Sequence, residues 1–195
     1  MQRTAEVTRK TAETEVSVKL NIDGSGISRI DTGIGFFDHM LTLLAGHALM
    51  DLEVVAKGDL NVDTHHTIED TGIVTGQAIA RALGGKESIA RYGTAFVPMD
   101  ETLVMVSLDL SSRPFLYFEV DFPNEKVGEM ETEMVEEFFR ALSVHAGITL
   151  HIKLIHGKNS HHIAEAIFKA FGQALRKACE TDPKIKGVLS TKGTF

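Results

Sequence analysis

Ser160-His161-His162-Ile163-Ala164-Glu165 occurs in this chain in two copies, the other being Thr64-His65-His66-Thr67-Ile68-Glu69. A shift of 96 residues lays His65 on His161, His66 on His162 and Glu69 on Glu165, and carries Gly76-Gln77-Ala78 onto Gly172-Gln173-Ala174. Self-similarity at a fixed shift is the mark of an internal repeat, so the fold is expected to be a duplicated unit. The segments after each pair, Thr67 to Leu83 and Ile163 to Cys179, carry Ala, Ile, Leu and Gln at helical spacing without proline, and both predict helices. Four residues separate His65 from Glu69 and His161 from Glu165, so each pair projects from one helical face and can close on a single ion. Adjacent histidines point about 100° apart on a helix, which leaves His65 and His66 poorly placed to share one metal. Two pairs therefore predict two ions. A repeated helix has no packing reason to repeat three ionisable residues, and that favours ligands over a merely polar helix start.

Working outward, Glu6 to Thr11 and Glu15 to Ile22 alternate polar and apolar residues in the half-buried strand pattern. Asp23-Gly24-Ser25-Gly26 predicts a turn, Ile27 to Asp31 a short strand, Phe36 to Ala45 an apolar helix, and Leu52 to Ala56 a strand ending in the turn Lys57-Gly58-Asp59. The second half repeats the order: strands at Thr102 to Leu110 and Phe115 to Val120, a helix at Thr132 to Val144, a strand at Thr149 to Ile155, a turn at Gly157-Lys158-Asn159, then the second His helix. The expected class is α+β: one compact duplicated domain with halves 1–92 and 93–195, in which helices pack between or against two sheets of mixed pairing. The helix before each His helix also repeats, at a shift of 98, placing Leu44 on Leu142, His47 on His145 and Leu52 on Leu150. Under that shift His39 falls on Glu137, and the two are expected to be equivalent third ligands. His47 and His145, near helix ends, read as structural residues.

At 195 residues the chain can build one substantial core or two small ones, and 43% hydrophobic with 24% charged residues is ordinary for a globular protein. No apolar run approaches a membrane span, and the stretch from Met1 to Glu15 is polar, so neither a membrane segment nor a signal peptide is expected. A single cysteine, Cys179, excludes an intrachain disulfide and fits a reducing cytoplasm. The net charge of −7 argues against nucleic acid while leaving room for a local basic pocket that holds a small anion. Nine histidines without a tryptophan, spread over the ends of elements, suggest ligands.

Five ordered motifs carry a resemblance that covers essentially the whole chain. They are Phe36-Phe37-Asp38-His39-Met40, Asp63-Thr64-His65-His66-Thr67-Ile68-Glu69-Asp70, Ser111-Ser112-Arg113-Pro114, Gly157-Lys158-Asn159-Ser160-His161-His162 and Ser190-Thr191-Lys192-Gly193. Together they resemble the imidazoleglycerol-phosphate dehydratase family of histidine biosynthesis, a group of hydro-lyases. The resemblance implies a duplicated α+β unit related to the second domain of ribosomal protein S5, and two Mn2+ ions per subunit. It also implies a homo-oligomer of 24 subunits with active sites between them. One ion would be held by His39, His66, His161 and Glu165, the other by His65, Glu69, His162 and Glu137. Many family members carry histidine at the last position, so a carboxylate here replaces an imidazole.

The implied reaction converts D-erythro-imidazole-glycerol phosphate to imidazole-acetol phosphate. No carbonyl stands by to accept charge, but two ions on the two ring nitrogens would make the ring an imidazolate able to expel hydroxyl. The resemblance assigns proton transfer and catalysis to Glu13 and Glu165, with His39 and Glu69. It implies substrate contacts from Glu13, His39, His47, His65, Glu69 and His161, and a phosphate pocket of Arg91, Arg113, Lys169, Ser190, Thr191 and Lys192. Arginine offers a planar fork and lysine a point charge to such an anion. A dinuclear phosphoesterase would use similar ligands, and a metal-storage or RNA-binding module could share the fold. The acidic balance disfavours RNA, and storage gives no reason for a basic pocket beside the ions.

Overall fold

The computed structural model describes residues 3–193. Its elements run β1 (Thr4–Lys10), β2 (Glu15–Asn21), β3 (Ser28–Asp31), α1 (Gly35–Ala48), β4 (Asp51–Lys57) and α2 (His65–Leu83), then β5 (Tyr92–Met99), β6 (Thr102–Asp109), β7 (Phe115–Glu119), β8 (Lys126–Val127), β9 (Met130–Glu131), α3 (Met134–Ala146), β10 (Thr149–His156) and α4 (Ser160–Cys179). Each half closes a four-stranded sheet of the same topology, β1-β2-β4-β3 and β5-β6-β10-β7, antiparallel twice and then parallel. The register repeats as well. Ala5, Leu20, Leu52 and Ser28 stand in one row across the first sheet, and Gly93, Leu108, Leu150 and Leu116 in the same row of the second.

Those rows place the early strands at a shift of 88 (Leu20 on Leu108) and β4 at 98 (Leu52 on Leu150). The ten residues gained lie between β7 and α3, where the small hairpin β8–β9 sits. Neither that hairpin nor β5 is anticipated by periodicity. In β5, Gly93 and Pro98 interrupt a run that otherwise alternates exposed and buried residues. Pro98 is tolerated because β5 is an edge strand, so a missing N–H breaks no inner ladder.

Strand residues facing inward, such as Val16, Val18, Leu52 and Val54 in the first sheet and Val104, Val106, Leu150 and Ile152 in the second, are buried. The four helices fill the space between the sheets. Helix α2 covers β1 and β2, α4 covers β5 and β6, and contact across the halves pairs α1 with α4 and α2 with α3. Phe37, Phe138, Phe139, Phe168 and Phe171 meet at the centre with ring centroids 4.9–5.4 Å apart. Such pairs add to the hydrophobic gain of burying the rings.

Two glycines set how closely the helix pairs approach. A Cβ on Gly76 would lie 2.6 Å from the Leu142 carbonyl oxygen, and one on Gly172 2.8 Å from that of Leu44. Gly76→Ala and Gly172→Ala are each expected to cost about 2–3 kcal/mol through overpacking, read as a lower urea midpoint. A midpoint unchanged in both would show that the helices can separate without loss.

The outer faces differ. The first sheet exposes Glu6, Lys10, Glu15, Lys19 and Lys57, partly ion-paired (Lys10–Glu15 2.7 Å, Lys19–Glu53 3.1 Å). The second exposes Tyr92 (55%), Phe96 (61%), Phe115 (56%), Tyr117 (43%) and Ile155 (44%). No helix among the described residues is long and apolar enough to cross a membrane.

Candidate metal centre and active site

Helices α1 and α4 start side by side, and three predicted ligands meet there. Nε2 of His39 and Nε2 of His161 each lie 2.9 Å from one carboxylate oxygen of Glu165. Donor atoms at right angles around a small dication, each about 2.1 Å from it, are roughly 3 Å apart, so the three fit a shared ion. The His161–Glu165 spacing places both on one face of α4 as expected, while α1 supplies His39 from the other helix of the pair. Glu165 is buried, and its second oxygen accepts from Lys169 Nζ at 2.6 Å. Burial pushes this carboxyl up, but Lys169, His39 and His161 outweigh it and hold it at about 2. His47 lies in the last turn of α1 with Nδ1 3.5 Å from Gln173 Nε2, its pKa lowered by burial and by Lys169. Its counterpart His145 donates to the Ala141 carbonyl at 2.9 Å, a contact within its own helix.

The second histidine of each pair points elsewhere. His66 Nδ1 stands 3.0 Å from Asp59 and 3.8 Å from Glu13, and His162 Nδ1 stands 2.8 Å from Glu101. The starts of both His helices are tied down alike: Asp63 accepts from the His65 amide at 2.8 Å, and Asn159 from the amides of His161 and His162. This satisfies helix N–H groups that have no partner within the helix. Among the described residues His65, Glu69 and Glu137 form no cluster as tight as that around Glu165. His65 sits at a small opening with Asp63, Glu131, Glu133 and Met134. Glu137, in the first turn of α3, accepts weakly from Arg140 Nε at 3.4 Å.

Glu13 is exposed in the β1–β2 turn, its amide hydrogen-bonded to Thr11 Oγ1. Glu101 occupies the corresponding β5–β6 turn, 88 residues on, in step with the strand register. The predicted phosphate residues fall into two groups. Arg91, buried and with a left-handed φ of 69°, forks onto Asp109 (2.6 and 3.0 Å) and donates to the Leu189 carbonyl. Exposed Arg113 reaches the same Asp109 at 3.6 Å, and the Ser190-Thr191-Lys192 turn follows Leu189, with Ser190 Oγ accepting from the Lys192 amide. Lys169 instead lies at the far end of β5, 3.6 Å from Met99 Sδ. Strand β5 has eight residues and so holds the two groups roughly 25 Å apart within one chain.

A model of the imidazoleglycerol-phosphate dehydratase family matches residues 32–175, a span that includes both His-His helices and the Glu165 cluster. The chain belongs to the imidazoleglycerol-phosphate dehydratase family. Named members of the family are similar throughout: the enzyme of Acetivibrio thermocellus is 63% identical over 193 residues, covering 99% of each chain, and that of Ruminiclostridium cellulolyticum 62% identical over 189 residues, covering 97% of each. The crystal structure of imidazoleglycerol-phosphate dehydratase from Staphylococcus aureus superposes with a TM-score of 0.84 at 44% identity, covering 92% of this chain and 99% of that one. The Pyrococcus furiosus structure, solved in complex with (S)-C348, gives 0.85 at 36%, covering 97% and 100%. As a family member the chain is a hydro-lyase of histidine biosynthesis acting on a small-molecule substrate, and the α+β duplicated fold agrees with these neighbours.

Three residues of the site escape sequence reading. Asp59, Glu101 and Asp109 hold His66, His162 and the two arginines. Glu101 was discoverable in principle, as the residue 88 beyond Glu13, but the shift of 88 becomes visible only once β5 is recognised. Asp59 and Asp109 carry no repeat signal.

Proposed function

We propose that this dehydratase converts D-erythro-imidazole-glycerol phosphate to imidazole-acetol phosphate with two divalent ions, Mn2+ in the cell, at sites completed between copies of the chain. The observation that carries the metal is the convergence of two imidazole nitrogens on one buried carboxylate oxygen at Glu165. His and carboxylate donors alone suit Mn2+, Fe2+ or Zn2+, and manganese follows from the family resemblance. His39, His161 and Glu165 would hold one ion with His66, and His65, Glu69 and Glu137 the other with His162. Ions held there would supply the Lewis acidity that lets the substrate's ring carry negative charge, which favours loss of the neighbouring hydroxyl. Glu165 is oriented by Lys169, and Glu13 is solvent-accessible beside His66. Glu165, held ionised, is suited to take the proton from the neighbouring carbon, and solvent-accessible Glu13 to hand one to the leaving oxygen, so that water leaves and the enol relaxes to the ketone.

Sharing of sites is supported by distance. Arg91 and Lys169 cannot grip one phosphate within a chain when β5 separates them by roughly 25 Å, whereas residues from two copies can. The aromatic outer face of the second sheet supplies apolar surface for association. We assign a homo-oligomer, of 24 subunits by family resemblance, working in a reducing cytoplasm.

The decisive experiment is metal analysis of purified protein with product identification after incubation with the imidazole substrate. A new ketone with its phosphate retained supports dehydration; released inorganic phosphate would instead indicate a phosphoesterase. Chelation is expected to abolish turnover and shrink the particle seen by light scattering, since ligands that meet at a boundary couple ion binding to association. An unchanged particle after complete metal removal would refute shared sites. Arg113→Ala and Lys192→Ala are each expected to raise KM about tenfold with both ions retained, as a charged hydrogen bond contributes about 1.5–3 kcal/mol. Metal loss in either variant would contradict a phosphate role.

A further inference from the structure

The two turns that carry Glu13 and Glu101 are repeat equivalents, yet their carboxylates are used differently. Glu13 is exposed and reaches only to 3.8 Å of His66. Glu101 is fully engaged. Its Oε1 faces the backbone amides of Lys158 and Asn159 at 3.1 and 3.0 Å, and Oε2 faces His162 Nδ1 at 2.8 Å. It thus grips the loop before α4 and the ring that α4 presents. In the first half the corresponding ring, His66, is gripped by Asp59, at 3.0 Å from Nδ1.

An ionised carboxylate only accepts hydrogen bonds, so each of these contacts requires the proton to sit on Nδ1. In the neutral ring that leaves the lone pair on Nε2, the form in which an imidazole binds a metal. We propose that Glu101 is a positioning residue that fixes His162 in the Nδ1–H tautomer, leaving Nε2 as the acceptor 3.9 Å from the exposed Asp100 carboxylate, and that Asp59 does the same for His66. The inference rests on the reading of His66 and His162 as ligands. Duplication supplied one carboxylate at each turn; one copy remains free for proton transfer, and the other has become a clamp on a ligand.

The geometry makes Glu101→Gln an informative change. An amide has one oxygen where the carboxylate has two. With that oxygen kept on the two loop amides, the NH2 group faces His162 Nδ1 and can only donate to it. The ring is then driven to the Nε2–H tautomer, which cannot coordinate through Nε2. The substitution is nearly isosteric and preserves the loop contacts.

The test is nitrogen-15 NMR of histidine-labelled, metal-free protein at about pH 8, with the His162 signals assigned by His162→Gln, alongside Mn2+ titration. Wild-type His162 is expected to carry its proton on Nδ1, and Glu101→Gln to move it to Nε2 and weaken Mn2+ binding at one of two sites by about 10–100-fold, the usual effect of losing such a partner. A wild-type His162 protonated on Nε2 overturns the proposal without any variant. So does a folded Glu101→Gln protein whose Mn2+ affinity stays within twofold of wild type. Failure of the wild-type chain to bind Mn2+ at all would instead remove the metal reading on which the proposal stands.

Discussion

Glu165→Gln is expected to lower kcat/KM by about a thousandfold or more while leaving the chain folded. The side chain is 8% exposed and is the meeting point of His39, His161 and Lys169, so one change removes a ligand charge and a proton-transfer group together. General acid–base catalysis alone is worth about 10²–10⁴-fold, and loss of one ion from a two-ion site adds to it. Glutamine keeps the shape and one oxygen for Lys169, and the stability cost should stay near 1–3 kcal/mol, the range for a weakened buried hydrogen bond. Steady-state kinetics, metal content and a denaturation midpoint on the same preparation check this. Turnover within tenfold of wild type, with two ions still bound, would remove Glu165 from the mechanism.

What the sequence reveals is what duplication leaves visible. The His-His-x-x-Glu repeat and the helices around it are read directly, because each carries both a 3.6-residue period and a second copy 96 residues away. Strand β5 is missed because Pro98 and Gly93 are poor strand residues, admitted here by an edge position and by close packing of Gly93 on α4, neither of which is local information. The hairpin β8–β9 has two residues per strand, too few to show a period. Of the Glu165 cluster, the His161–Glu165 pair was legible from helical spacing, whereas His39 joined it only through the family resemblance. From the residues alone, that meeting depends on α1 packing against α4 of the other half, which only tertiary packing decides.

The second copy also departs from the first where chemistry needs asymmetry. Lys169, beside Glu165, corresponds at a shift of 96 to Ile73, so only one of the two proposed ligand sets has an ammonium group next to its carboxylate. The charged outer face of the first sheet and the aromatic one of the second differ in the same way. On the proposed two-ion reading, a pseudo-symmetric pair of sites would thus meet a substrate that is itself unsymmetric, with a phosphate at one end and a ring at the other.

Glu137→Ala is expected to empty one of the two metal sites and reduce kcat/KM by about a hundredfold or more, whereas Glu137→His should keep most of both. The argument is one of register. Gly172 closes on the Leu44 carbonyl and the Ala48 amide, and Gly76 closes on the Leu142 carbonyl and the Ala146 amide, so α1 and α3 superpose at a shift of 98 in the structure as they do in sequence. That puts Glu137 where His39 stands, and His39 is 2.9 Å from the carboxylate of the other repeat. Gly72, in the third turn of α2, meanwhile packs on the carbonyl of Phe138, the residue after Glu137, so the start of α3 lies close against α2. Its contact with Arg140 is long at 3.4 Å and half-exposed, and Coulomb attraction to a dication exceeds such a surface pairing. Glu136, one residue earlier and turned about 100° around the helix, takes the closer contact with Arg140 and serves as the control. Glu136→Ala should leave metal content and turnover nearly unchanged. Two tightly bound ions and normal turnover in Glu137→Ala would show that this carboxylate is a solvated helix residue, and that the symmetry of the two halves ends one ligand short.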